Sequence, residues 1–171
     1  LPIYDRINIP ASVMPGATAN DEWTLEAFVN FDSVANNEQV IFSLRDESYI
    51  QQYMRTVGDK KITTHVGDGI GGNHWARSSH VVTGGHWYYT TSEYKDADAN
   101  MQNKVNLTYD GTANPTAVRN RGQVNNIGND ASITRGTVGT IDEIRISSVR
   151  RNSSYLSLVY DNIINQDSCI L

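Results

Sequence analysis

A chain of 171 residues, 39 % hydrophobic and 19 % charged, is long enough to bury one core without disulfide or metal staples and is read as a single domain over residues 1–171. Its formal net charge of -5, with no Lys/Arg cluster beyond "VRR" at 149–151, excludes the basic footprint that nucleic-acid binding needs. No run approaches the roughly eighteen apolar residues of a membrane-spanning helix.

Along the chain, apolar and polar residues alternate wherever a pattern exists, which is the period of a half-buried strand. The opening "LPIYDRINIP" is apolar enough for a first strand. "WTLEAFVNF" (23–31) puts Trp23, Leu25, Ala27, Val29 and Phe31 on one face, with Thr24, Glu26, Phe28 and Asn30 on the other. Strands are predicted again at "QVIFSLRD" (39–46), "SYIQQYMRTV" (48–57) and "KITTHVG" (61–67). "GDGIGG" (67–72) reads as a turn and "GGNHWARSSH" (71–80) as a Gly-bounded loop. Further strands follow at "HWYYTTSEY" (86–94), "KVNLTYDG" (104–111), "TAVRNRGQV" (116–124) and "GTIDEIRISSV" (139–149), separated by short turn signals. Helical spacing is confined to "NSSYLSLVYDNI" (152–163), where Ser154 can cap and Tyr155, Leu158, Val159 and Ile163 recur. The apolar "DSCIL" end is expected to form a strand beside the first one. The fold class expected is all-β, a sandwich of two antiparallel sheets with one short C-terminal helical segment.

The motifs "YDRINIPASVMPGATANDEWTLEAFVNF", "TYDGT", "GTIDEIRISSVRR" and "YLSLVYDN" occur in that order over roughly residues 4–165. Together they resemble the laminin-G-like branch of the concanavalin A-like lectin/glucanase jelly rolls. The resemblance implies sheets of five to seven strands, one of them concave, and an extracellular role in binding sugars or proteins. It also implies a core position for Trp87. Two departures stand out: "YYTTSEYKDADANMQNKVNL" separates Trp87 from Thr108, as an inserted hairpin or long loop, and "VRNRGQV" replaces an apolar "LYVNG"-like segment. Arg119 and Arg121 of that segment are candidate ligand contacts.

Glucan-cutting enzymes of that superfamily carry two Glu with an Asp between them on alternate residues of one strand, so that all three point into one cleft. That spacing is absent here. Asp142 and Glu143 are adjacent, which in a strand sends them to opposite faces; Asp142 is read as a buried turn brace and Glu143 as an ion-pair partner of Arg145. Glu22 and Glu26 share a face without a middle carboxylate, and no "GxSxG" elbow occurs. No catalytic residue is therefore assigned.

Three candidate sites remain. His74, His80 and His86, spaced six apart, suit zinc only if their segments converge. Trp75, with His74, Arg77 and Tyr88, offers an aromatic face among polar neighbours on which a sugar ring could stack; the alternative is a loop anchor folded back on the sandwich edge. "DADAN" repeats oxygen ligands at Asp96, Asp98 and Asn100 as a calcium loop begins, but Met101 stands where an EF-hand needs Gly and Leu107 where it needs Glu, leaving only a looser calcium site. Cys169 cannot form an internal disulfide, and the sequons at Asn106 and Asn152 matter only in a glycosylating source.

The reading is a non-catalytic, secreted or cell-surface module that recognises a glycan or a protein surface. A second reading is a structural subunit that pairs with copies of itself through "LPIY" and "SCIL". A third is a glycan-cleaving enzyme whose carboxylates meet only in three dimensions. The start at Leu1 rather than Met leads us to expect an upstream leader or larger part.

Overall fold

The computed structural model describes residues 7–9, 22–34, 38–45, 51–56, 58–67, 72–95, 98–114, 124–129 and 135–165. The strands are β1 (Ile7–Ile9), β2 (Glu22–Phe31), β3 (Gln39–Arg45), β4 (Gln51–Thr56), β5 (Lys61–Gly67) and β6 (Asn73–Val81). They continue with β7 (Trp87–Lys95), β8 (Asn100–Val105), β9 (Thr108–Ala113), β10 (Val124–Ile127) and β11 (Gly139–Ser147), and helix α1 (Ser153–Ile164) follows. A six-stranded sheet runs β1-β10-β3-β4-β5-β6 and a five-stranded sheet runs β11-β2-β7-β8-β9. All the strand pairs within them are antiparallel. This is the all-β sandwich that the alternation predicts.

The core lies between the sheets. From the five-stranded sheet come Trp23, Leu25, Val29, Phe31, Tyr88, Tyr94, Met101 and Val105; from the other come Ile41, Phe42, Ile62, Val66 and Ala76. Trp23 stacks on Tyr94, with ring centroids 5.6 Å apart. The sheets close on each other where β9 approaches β6. A Cβ on Gly111 would lie 2.3 Å from the carbonyl oxygen of Arg77, so only glycine admits this contact.

β2 and β7 are buried on both faces. The second face of "WTLEAFVNF" lies under α1: Phe28 stacks on Tyr89 at 4.7 Å and on Tyr160 at 6.5 Å, and Leu156 is fully buried. Beneath the helix runs a layer of paired charges. Lys104 Nζ donates to Glu93 Oε1 at 2.5 Å, Arg150 Nε lies 3.5 Å from Glu93 Oε2, and the Tyr89 hydroxyl donates to Glu26 Oε2 at 2.5 Å. Burial holds the Glu26 carboxyl above the usual carboxylate range, against the lowering effect of the Tyr89 bond and of Arg145 and Arg151.

Several local expectations are corrected. "GGNHWARSSH" is not a loop: residues 73–81 form β6, because Ala76 and Ser78 turn inward and are buried while Trp75 and Arg77 face out. "KVNLTYDG" is two strands, since Asn106 (φ 49°) and Leu107 (φ 64°) make a left-handed two-residue turn between β8 and β9. Trp87 is 44 % exposed rather than buried, because the inward positions of β7 are 88, 90, 92 and 94. The α1 cap is Asn152, whose Oδ1 accepts from Tyr155 N at 2.9 Å, rather than Ser154. Asp142 is exposed and braces a bulge, its Oδ1 accepting from Glu143 N at 2.8 Å. Glu143 pairs with Arg145 as expected, at 2.6 Å. The predicted terminal strand in "DSCIL" and residues 116–123 of "TAVRNRGQV" lie outside the described residues.

Two stability predictions follow from the charged layer. Lys104→Met leaves Glu93 buried with only the longer Arg150 contact and should cost roughly 3–5 kcal/mol in urea unfolding, part of which Glu93→Gln restores in the double variant. The raised Glu26 group binds its proton more tightly folded than unfolded, so its contribution is intact below the unfolded carboxylate range and declines as pH rises through the folded value. Glu26→Gln keeps an acceptor for Tyr89, and its melting temperature relative to the parent chain should therefore climb from pH 4 to pH 7. A constant difference across that range would contradict this.

Candidate ligand-binding site

The outer face of the six-stranded sheet exposes an aromatic group among polar ones on β6. Along β5 the core positions Ile62, Thr64 and Val66 leave Lys61, Thr63 and His65 on the other face of the sheet, where Thr63 and His65 are nonetheless buried, while β6 presents Asn73, Trp75 and Arg77 to solvent on the same side. The register sets His65 opposite Trp75 and Thr63 opposite Arg77. On the next strand it sets position 53, a tyrosine, opposite His65 and position 55, an arginine, opposite Thr63.

His65 and Trp75 stack face to face, with ring centroids 3.7 Å apart and planes 9° from parallel. His65 is almost wholly buried, and its Nε2 donates to Asn73 Oδ1 at 2.9 Å. The imidazole is therefore fixed by a hydrogen bond and in turn supports the indole, which remains 39 % exposed. Arg77 Nη1 lies 3.1 Å from Asp59 Oδ2, an exposed ion pair at the end of the β4–β5 hairpin. Trp75 thus offers an aromatic surface, Asn73 an amide, and the Arg77–Asp59 pair a donor beside an acceptor.

Of the residues predicted from sequence, Trp75 and Arg77 share this face. His74 does not, because alternation along β6 directs it to the opposite side. Tyr88 is also elsewhere: it is only 6 % exposed on the inner face of β7, where its hydroxyl accepts from Thr83 N at 2.9 Å and meets the edge of His80. Arg119 and Arg121 lie outside the described residues. His65, Asn73 and Asp59 escaped the sequence reading; the polar half of "KITTHVG" is visible in the alternation, but its partner across the sheet is fixed only by register.

In the acidic loop, Asp96 lies outside the described residues, and Asn100 opens β8 opposite Lys95. Asp98 Oδ2 sits 3.4 Å from Lys95 Nζ and 4.0 Å from Arg150 Nη1, so a calcium ion there would compete with two cations for it. Among the described residues no three His, Cys, Asp or Glu side chains converge as metal ligands, His74, His80 and His86 included. The nearest approach to a carboxylate pair in β2 and β7 is Glu26 and Glu93. Both are buried under α1, and Glu93 is paired with Lys104 and Arg150. A glycosidic bond cannot reach them without removal of the helix.

Comparison with solved structures finds the same architecture in several domains. The chain superposes on domain 4 of AbnA, a GH43 extracellular arabinanase from Geobacillus stearothermophilus solved with arabinotriose, with TM-score 0.68 and 13 % identity over 91 % of this chain and 72 % of that one. It is similar to the CBM40 of the Ruminococcus gnavus IT-sialidase, solved with α2,3-sialyllactose, at TM-score 0.64 and 13 % identity over 83 % and 84 %. Mouse laminin α1 domains LG4-5 give TM-score 0.62 and 14 % identity over 79 % of this chain and 38 % of theirs. At such identities the likeness is one of fold. No curated protein matches the sequence. The family model for the concanavalin A-like lectin/glucanases superfamily, in its laminin-G-like branch, matches residues 3–156, and the chain belongs to that family.

Proposed function

We propose that this chain is a non-catalytic, extracellular carbohydrate-binding module whose ligand rests on Trp75 at the outer face of β4–β6. The single observation that carries the reading is the His65–Trp75 stack: a half-exposed indole held in one orientation by a buried imidazole that Asn73 anchors. An aromatic plane fixed before binding loses little entropy when a sugar ring lies on it, and apolar C–H groups of the ring meet the indole while its hydroxyls meet flanking polar groups. Asn73 and the Arg77–Asp59 pair supply those groups within the same patch. The fold neighbours solved with arabinotriose and sialyllactose support a glycan over a protein partner. The burial of Glu26 and Glu93 supports binding without cleavage.

A second reading is favoured by one observation. β1 is an edge strand of its sheet and Ile7 is 64 % exposed, so a neighbouring copy could pair there. Deleting residues 1–6 should then abolish polymers seen by electron microscopy while the core still folds; polymers that survive the deletion count against it.

For the leading reading, Trp75→Ala should weaken glycan binding by roughly thirtyfold, about 2 kcal/mol, as measured by calorimetry. His65→Ala should weaken it less, because it removes the support and not the surface. Trp87→Ala, on the opposite sheet, should leave the affinity unchanged, as should chelation of calcium. Unaltered binding in Trp75→Ala would remove the site.

A further inference from the structure

The charge around Trp75 runs against that of the whole molecule. Residues 51–81 carry Arg55, Lys60, Lys61 and Arg77 against Asp59 and Asp68, a net of +2 inside a chain of -5. Elsewhere Lys95 is paired with Glu22 and Asp98, Lys104 with Glu93, Arg135 with Glu38, Arg145 with Glu143, and Arg150 with Glu93 and Asp98, while Arg151 is held by Ser147 and the Tyr155 ring. Lys60 and Lys61, by contrast, have no carboxylate within ion-pair reach among the described residues. Lys61 lies on the Thr63 side of β5, one pleat beyond it, and Thr63 is the register partner of Arg77. The His65–Trp75 stack is thus bordered by Arg77 and by the hairpin lysines Lys60 and Lys61, whose described counterion is the exposed Asp59.

We propose that the saccharide bound at this face is anionic: its ring lies on Trp75 and its carboxylate or sulfate group lies against Arg77 and Lys61. This rests on the carbohydrate-binding reading above and names the ligand class for the same site. Guanidinium groups bind planar or tetrahedral oxyanions through paired donors, and an exposed ion pair such as Arg77–Asp59 is weak enough for an incoming anion to displace its carboxylate. Asp59 then acts as a competitor for Arg77, so its removal should strengthen binding.

The test is an array of printed saccharides in three matched sets, neutral, carboxylated and sulfated, probed with the intact chain at low and high salt. The acidic sets should exceed the neutral set by roughly tenfold, with the excess falling as salt screens the contact. Comparison of the carboxylated and sulfated sets identifies which acid group is taken. Lys61→Gln should erase most of the excess without lowering the neutral signal, Arg77→Gln should erase the excess and weaken the neutral signal as well, and Asp59→Asn should raise the acidic signal relative to the neutral one several-fold. Equal signals on neutral and acidic sets, lost in Trp75→Ala, would overturn the anionic inference and leave the carbohydrate reading standing. No signal on any set would overturn both.

Discussion

The alternation of side chains along a strand, combined with coverage of both faces of the central strands, governs this molecule. β2 and β7 bury their inner positions in the sandwich core and their outer positions under α1, so neither has a face left over for a ligand. Because the outer positions include Glu26 and Glu93, coverage demanded partners, and Lys104, Arg150 and Tyr89 provide them. A helix placed over an apolar face alone would need none of this. The outcome is a pair of central strands, β2 and β7, covered by the helix that follows β11, with Asn73, Trp75 and Arg77 of β6 exposed on the outer face of the six-stranded sheet.

That surface depends on register. A shift of one residue between β5 and β6 would send Trp75 toward the core and Ala76 outward, so the burial of Ala76, Ile62 and Val66 is what holds the indole in place. The bulge between Lys61 and Thr63 absorbs the mismatch at the far end of the pair, which keeps His65 directly opposite Trp75. The close approach at Gly111 then fixes the edge of β6 against the second sheet from behind. Core packing and the exposed stack are thus two consequences of one set of strand pairings.

Much of the fold was legible in the sequence because period-two alternation reports burial directly. "WTLEAFVNF" gave β2 to within one residue, and the helical spacing after Asn152 gave α1. The site was legible only in part. Trp75 and Arg77 stand two residues apart on one strand and share a face, but the reading grouped them with His74 and Tyr88, which alternation and sheet membership send elsewhere. The Gly pairs on either side disguised β6 as a loop, although Ala76 and Ser78 already marked an inward face. His65 and Asp59 are remote in sequence from Trp75 and reach it through strand pairing, which no single-strand pattern encodes. Trp87 was misplaced for a different reason: the "HWYYTTSEY" segment alternates as expected, but its inward set begins at Tyr88, which leaves Trp87 on the other face.

The central claim, that a saccharide rests on Trp75, is tested most directly by following the three tryptophan indole N–H resonances during titration with an acidic oligosaccharide. Trp23 is buried in the core, Trp87 is exposed on the opposite sheet, and Trp75 lies on the proposed face, so the three report on separate regions. A saturable shift confined to the Trp75 resonance is the result predicted here. A shift at Trp87 with Trp75 unmoved would place the ligand on the five-stranded sheet and contradict the account.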